Sequence, residues 1–240
     1  MKVFIGTSGY FYWDWKGKFY PIDLKPDKWF EYYAKYFNTL EINSTFYKFP
    51  TNSSLKRWYK IAPDGFFYSI KVNKTITHLK RFKGTKDILK QFYTLSYNTL
   101  REKLGVFLFQ LPPSFRYTKA NLEIITGQLD NSFKNAIEFR NESWFVQEVF
   151  EILEKENIIF CCISAPKFND ICKNTAKTVY VRFHGKKQWY KYRYSKDELK
   201  LWAEKIINLN PEEAFIYFNN TYNAYAVENA LQMKEIFNQI

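Results

Sequence analysis

A chain of 240 residues, 46% of them hydrophobic, is long enough for one barrel or two small domains and too apolar to be disordered. Its formal net charge of +12 at neutral pH leaves the fold open but favours anionic partners, on charge alone a nucleic acid, a phosphorylated small molecule or an anionic membrane. No apolar run approaches the roughly 18 residues that span a bilayer, so no membrane partner is expected.

Read in chain order, the first apolar run is Val3–Thr7, too short for a secretory segment and shaped like a strand. Residues 7–26 follow without helical or strand periodicity. They hold Tyr10, Phe11, Trp13, Trp15, Phe19 and Tyr20, too aromatic a set for disorder, and such long loops are usually functional. Asp27 is placed to cap a helix carrying Trp29, Phe30, Tyr33 and Phe37. Further β-branched and aromatic runs lie at Thr39–Asn43, Phe67–Val72, Val106–Leu111 and Ala136–Arg140. Val146, Val149, Phe150 and Leu153 mark a helix face before the next runs, Ile158–Ser164 and Thr178–His184. Between those two, residues 165–177 give the weakest helical signal, so the crossover helix there is expected to be short or irregular. Ser195 and Glu198 form a capping box ahead of Leu199, Trp202, Ala203 and Ile206, and the last run is Ala214–Asn219.

Eight strands alternating with helices imply a parallel sheet, and eight such units in one domain of this length predict a (β/α)8 TIM-type barrel over residues 1–240. A doubly wound open sheet is the alternative. The three cysteines, Cys161, Cys162 and Cys172, are odd in number and lack paired spacing. That argues against a disulfide framework or a zinc site and for a reduced, cytoplasmic protein. Cys161 and Cys162 read as core residues.

In a barrel strand alternate side chains point inward. One set is apolar throughout: Ile42, Ile70, Phe139, Val181, Phe183 and Phe218. The other set is polar near the C-terminal ends: Glu41 and Asn43, Lys71, Gln110, Glu138 and Arg140, Arg182 and His184, and Asn219. Barrel interiors are normally apolar, and catalytic groups of barrel enzymes stand at these strand ends. The alternation therefore places one polar site at the C-terminal mouth, with three cations against two carboxylates. A salt-bridge network that only fills the barrel would account for some of these residues, and Glu41 with Lys71 could pair across neighbouring strands. Basic residues also follow two strands: Lys74, His78, Lys80 and Arg81 after the third, and Lys186, Lys187, Lys191 and Arg193, interleaved with Trp189 and Tyr190, after the seventh. Basic and aromatic residues together suit a nucleic-acid backbone with stacked bases.

Several segments, in order, resemble the YecE-like family, domain of unknown function 72. They are Gly6-Thr7-Ser8-Gly9-Tyr10 with Trp13, Glu41-Ile42-Asn43-Ser44-Thr45-Phe46-Tyr47, and Lys71 with Thr77-His78. Later ones are Phe109-Gln110-Leu111-Pro112-Pro113, Glu138-Phe139-Arg140 with Ser143-Trp144, Val181-Arg182-Phe183-His184-Gly185, and Tyr217-Phe218-Asn219-Asn220. The resemblance runs through nearly the whole chain. It implies a TIM-type barrel and adds Trp13, His78 and Trp144 to the ligand-binding candidates, but it implies no particular reaction. This chain departs from the family pattern at Asn141, where His is typical, and at Thr221, where Asp is common.

Two functions follow as expectations. In the first, Lys71, Arg140 and Arg182, with His78, Gln110, Asn43 and Asn219, hold a phosphate-containing or other anionic ligand. Glu41 or Glu138 would then act as general base and His184 as proton donor, the equipment of a phosphodiester hydrolase. In the second, the protein binds nucleic acid without catalysis, through its basic and aromatic loops. No metal ligand set is assigned, because the chain has only two His and no Asp at a strand end. The sequence names no cofactor and no oligomeric state.

Overall fold

A computed structural model of the protein describes residues 1–239. All eight apolar runs form strands, each within two residues of its expected bounds: β1 Lys2–Thr7, β2 Thr39–Ile42, β3 Phe67–Lys71, β4 Leu104–Gln110, β5 Asn135–Glu138, β6 Ile159–Ser164, β7 Thr178–Phe183 and β8 Glu213–Phe218. Every pairing is parallel, and hydrogen bonding runs from β2 through β3 to β8 and on to β1.

The seam between β1 and β2 closes by other means. Ser8 bridges Glu41, and the Gly9 amide donates to the Glu41 carbonyl at 2.9 Å. Above that seam the Tyr33 hydroxyl accepts from the Thr7 amide at 2.9 Å and donates to the Thr39 carbonyl at 3.0 Å. Gly6 permits this approach, because a Cβ there would collide with the Thr39 carbonyl and lie 2.9 Å from the Tyr33 hydroxyl. The structure is therefore a single (β/α)8 barrel, and the open-sheet alternative does not hold.

The helices are α1 Trp29–Tyr33, α2 Ser44–Tyr47, α3 Asn52–Ile61, α4 Lys86–Leu100, α5 Lys119–Thr126, α6 Gln147–Lys155, α7 Lys196–Asn208 and α8 Tyr225–Gln239. The Ser195–Glu198 box at the start of α7 forms in both directions, at 3.2 and 2.9 Å. Asp27 does not cap α1. The chain enters that helix through a tight turn at Pro26–Lys28, so Asp27 already lies inside the helical run. No helix connects β6 to β7, which corrects the expectation of a short or irregular crossover helix there. Cys162 and Cys172 are joined there by a disulfide, which corrects the expectation that all three cysteines are free. Cys161 is the buried free thiol.

The outward faces of the strands pack against the helices through residues such as Ile42, Ile70, Phe139 and Phe218. The lumen holds a second apolar cluster: Phe4 stacked on Phe215 at 4.6 Å, with Val106, Leu108, Ile159 and Cys161. Tyr180 and Tyr217 belong to the same cluster but turn their hydroxyls to polar partners, Tyr180 to Glu41 at 2.7 Å and Tyr217 to Ser69 at 2.9 Å. Apolar filling thus ends partway up the lumen, and the C-terminal mouth is polar. Among the described residues, no helix is long and apolar enough to cross a membrane.

Candidate functional site

Arg182, two residues beyond Tyr180 on β7, is the hub of the mouth. Its side chain is 1% exposed. Nη2 reaches Glu41 Oε1 on β2 at 2.6 Å, and Nη1 is paired with Glu138 Oε2 on β5. The second oxygen of Glu41 accepts from the Tyr180 hydroxyl at 2.7 Å, and the second oxygen of Glu138 accepts from Arg140 Nε. Arg140 Nη2 lies 3.0 Å from His184 Nε2, and Asn219 Nδ2 lies 3.1 Å from His184 Nδ1. Two arginines thus neutralise two glutamates across the lumen, with all four carboxylate oxygens occupied.

These contacts set the protonation states. Burial alone would raise the Glu138 carboxyl, but Arg140 and Arg182 together hold it well below the usual range, so it is a carboxylate at neutral pH. Burial, and then Arg140 beside it, push His184 down to about 3, so its ring is neutral. Burial and the Glu41 charge push the Tyr180 hydroxyl up, which keeps it a donor.

Lys71 stands apart. Among the described residues, no carboxylate lies within ion-pair distance of it, so the cross-strand pairing with Glu41 does not form. Its Nζ donates to Gln110 Oε1 on β4 at 2.6 Å and lies 4.2 Å from the centre of the Phe46 ring. The residue is 9% exposed. Burial, and then Arg182, push its ammonium down to about 7 against the opposing pull of Glu138 and Glu41. The end of β3 is pinned by Thr45, whose hydroxyl donates to the Lys71 carbonyl at 2.6 Å.

Past β3 the chain makes a wide turn at Thr75–Leu79 that carries His78. The His78 ring meets Phe46 edge-on at 4.9 Å, and burial followed by Lys71 lowers it to about 4. Arg81 and Phe82 then take φ of 48° and 63°, a conformation side chains resist, and the fully buried Phe82 ring holds it in place. Past β7, Gly185 has φ of 106°, and a Cβ there would strike the Gln188 carbonyl. That turn brings Trp189 over the Arg140 guanidinium, 4.6 Å from ring centre to carbon.

The sequence model of the family described as "Protein of unknown function DUF72" matches residues 4–240. The chain belongs to the DUF72 family. It is similar to UPF0759 protein YunF of Bacillus subtilis, 26% identical over 98% of this chain and 94% of that one. It also resembles UPF0759 protein YecE of Escherichia coli K12, 29% identical over 49% of this chain and 43% of that one. A DUF72 family protein from Thermotoga maritima superposes with a TM-score of 0.90 at 30% identity, covering 99% of this chain and all of that one. One from Enterococcus faecalis gives 0.81 at 21% identity over 98% of this chain and 95% of that one, a likeness of fold.

In this DUF72 barrel Glu41, Glu138, Arg140, Arg182, His184 and Asn219 form one bonded network, and Lys71 with Gln110 makes a separate pair at the ends of β3 and β4. Asn43 turns aside. It lines a cavity of ≈ 780 Å³ next to the mouth, beside Tyr10, Tyr12, Phe30, Arg57 and Trp58, and its buried Oδ1 has no hydrogen-bond partner among the described residues. Trp13 is 63% exposed and leans on Trp29 at 5.1 Å, outside both groups. Trp144 is fully buried, stacked on Phe139 at 4.6 Å with Nε1 donating to the Phe115 carbonyl, so it is packing rather than a ligand contact. A larger cavity of ≈ 920 Å³ lies between α3 and α4, on the barrel's outer wall and remote from these groups. Asn141 caps a turn, accepting from the Ser143 amide at 3.1 Å and donating to the Pro113 carbonyl at 2.8 Å. The Thr221 carbonyl accepts from Trp15 Nε1 at 2.8 Å. The Asn141 side chain thus has a local bonding role, whereas the Thr221 contact is made by its backbone. Phe46, Tyr180 and Trp189 are the members that strand-end reasoning did not place in the site. Tyr180 shares its strand face with Arg182, a signal that could have found it, whereas Phe46 arrives from the short helix α2 and Trp189 from the turn after β7.

Proposed function

We propose that this DUF72 barrel binds an anionic small molecule, bearing phosphate or carboxylate, at the C-terminal mouth of the barrel. The observation that carries this reading is the charge left over at the mouth. Arg140 and Arg182 are balanced by Glu41 and Glu138, while Lys71 has only the neutral Gln110 oxygen as partner. An anion beside Lys71 would restore the charge that burial withdraws from it, and Arg140 on its Trp189 platform would supply a second donor edge. Glu41, Glu138 and His184 serve in this reading as positioning groups. For either carboxylate to act as a general base in phosphodiester hydrolysis, Arg182 would have to let go of it.

A second reading, single-stranded nucleic acid entering by a terminal phosphate, draws support from the rim. There Lys74 sits over the exposed Tyr47 ring at 5.8 Å and Lys191 over the exposed Tyr222 ring at 5.4 Å, after β3 and β7 respectively. The test of both is calorimetric titration with inorganic phosphate, together with fluorescence anisotropy of labelled DNA and RNA at about 50 and 200 mM salt. Phosphate binding that drops about tenfold or more in both Lys71→Met and Arg140→Gln would support the mouth site, the loss expected for a charge-assisted bond. Phosphate affinity that ignores both substitutions would sink it. Steeply salt-dependent oligonucleotide binding that phosphate competes away would favour the nucleic-acid form.

A further inference from the structure

We infer that Lys71 is an amine nucleophile that forms a covalent imine with the carbonyl carbon of an anionic aldehyde, ketone or 2-oxo acid bound at the barrel mouth. The word "anionic" rests on the reading above; the imine rests on the surroundings of one nitrogen. Lysine ammonium groups in folded proteins ordinarily find a carboxylate or water. Lys71 Nζ instead has one neutral acceptor at 2.6 Å, Gln110 Oε1, and an aromatic face at 4.2 Å. Gln110 consumes one N–H and cannot take the lone pair, so the free amine keeps its nucleophilic orbital. Gln110 also donates to the Leu111 carbonyl, which orients its amide with oxygen toward lysine.

Two further features match the chemistry. Lysines become nucleophiles when desolvated and set near other cations, and here burial together with Arg182 lowers Lys71 to about 7. The product iminium is a cation without ammonium hydration, and the Phe46 ring under Nζ suits a cation of that kind. Position matters as well. Lys71 is the last residue of β3, at the barrel end where side chains meet small substrates, and its backbone is held by Thr45.

The step balances without a redox partner. The Nζ lone pair attacks the carbonyl carbon, the C=O π electrons move to oxygen, and a proton passes from nitrogen to that oxygen to give a carbinolamine. A proton from solvent then lets the oxygen leave as water. The amine and carbonyl, with one proton, become a protonated iminium and one water.

Pyridoxal 5′-phosphate serves here as a probe, an aldehyde carrying phosphate, with pyridoxal as its uncharged counterpart. The wild-type protein is incubated at neutral pH with substoichiometric probe, reduced with borohydride and mapped by peptide mass spectrometry. An exposed lysine is less than about 0.1% free amine at this pH, so surface sites compete poorly. The expected result is an adduct concentrated on Lys71, formed at least about tenfold more slowly when inorganic phosphate fills the anion site. If pyridoxal labels Lys71 as readily as its phosphate ester, the nucleophile stands and the anion site falls. If the phosphate ester binds reversibly and competes with inorganic phosphate, yet leaves Lys71 unmodified after reduction, the imine is overturned while anion binding survives. Label scattered over surface lysines with none on Lys71 overturns the imine as well. No variant is needed for these outcomes, so a folding defect in Lys71→Met would not obscure them.

Discussion

At the scale of single residues, the free energy of Lys71 is the most accessible quantity. Unfolded, a lysine titrates at about 10.4; in the barrel Lys71 is lowered to about 7. Between those values the unfolded chain binds more protons than the folded one, so this residue's contribution to stability rises with pH. Below pH 7 its penalty is fully present, and above the unfolded value it is gone. The wild type should therefore gain on Lys71→Met by on the order of 3 kcal/mol between about pH 7 and pH 10. Paired denaturant melts at several pH values would show the gap closing; a constant gap would mean that Lys71 titrates like an exposed lysine.

The side on which each of these residues stands was legible from period-two alternation alone, because charges at Glu41, Lys71, Glu138 and Arg182 interrupt strands whose other face is Ile42, Ile70, Phe139 and Val181. Who bonds to whom was not legible. Lys71 and Glu41 have opposite charge on adjacent strands, yet Glu41 is taken by Arg182 from 141 positions away, reaching across the lumen. Pairing across a barrel depends on side-chain reach at a given height, and one-dimensional spacing carries no such information. Trp144 entered through the resemblance, which carries no packing information. An indole near a strand end suits a ligand or a core equally, and the Phe115 carbonyl decides for the core.

At the scale of elements, the connection between β6 and β7 shows how an irregular segment can be ordered. Residues 165–177 lack a helix, and their anchors are particular: the Thr175 hydroxyl accepts from the Phe160 amide at 2.8 Å and donates to the Ile158 carbonyl at 2.6 Å, and Cys172 is bonded to Cys162. A cross-link spanning 10 positions restricts the unfolded chain by roughly 3 kcal/mol in the loop-entropy account. Cys172→Ser should lower unfolding free energy by about that amount, read from denaturant midpoints without reductant, and leave phosphate binding at the mouth unaltered. Equal midpoints for variant and oxidised wild type would show that the two threonine bonds suffice. Strands and long helices announce themselves by repeating an apolar face; this segment repeats nothing, so its order became visible only once β6 and β7 were neighbours.

At the scale of the whole molecule, the barrel is held at its mouth by charge rather than by apolar packing. Arg182 joins β7 to β2 and β5, and Arg140 with His184 and Asn219 extends the bonding to the ends of β7 and β8. Removing one member of a buried ion network costs more than removing all of it, because the survivors keep their desolvation without their partners. Arg182→Met leaves buried Glu41 with only the Tyr180 hydroxyl and Glu138 with only Arg140, and should cost about 3–5 kcal/mol. Adding Glu41→Gln and Glu138→Gln to the same chain removes both carboxylates and should return part of that loss, the remainder reflecting Arg140, which then lacks its Glu138 partner. The triple variant would still bind phosphate poorly, since Arg140 would no longer have the Glu138 carboxylate that fixes its plane under Trp189. Denaturant melts and phosphate titration on the single and triple variants separate the two roles. A triple variant that is stable but unable to bind means that the buried charges are arranged for a ligand. One that is stable and still binds means that they fill the barrel and no more. A triple variant as unstable as Arg182→Met would mean that unpairing Arg140 costs as much as the two carboxylates did.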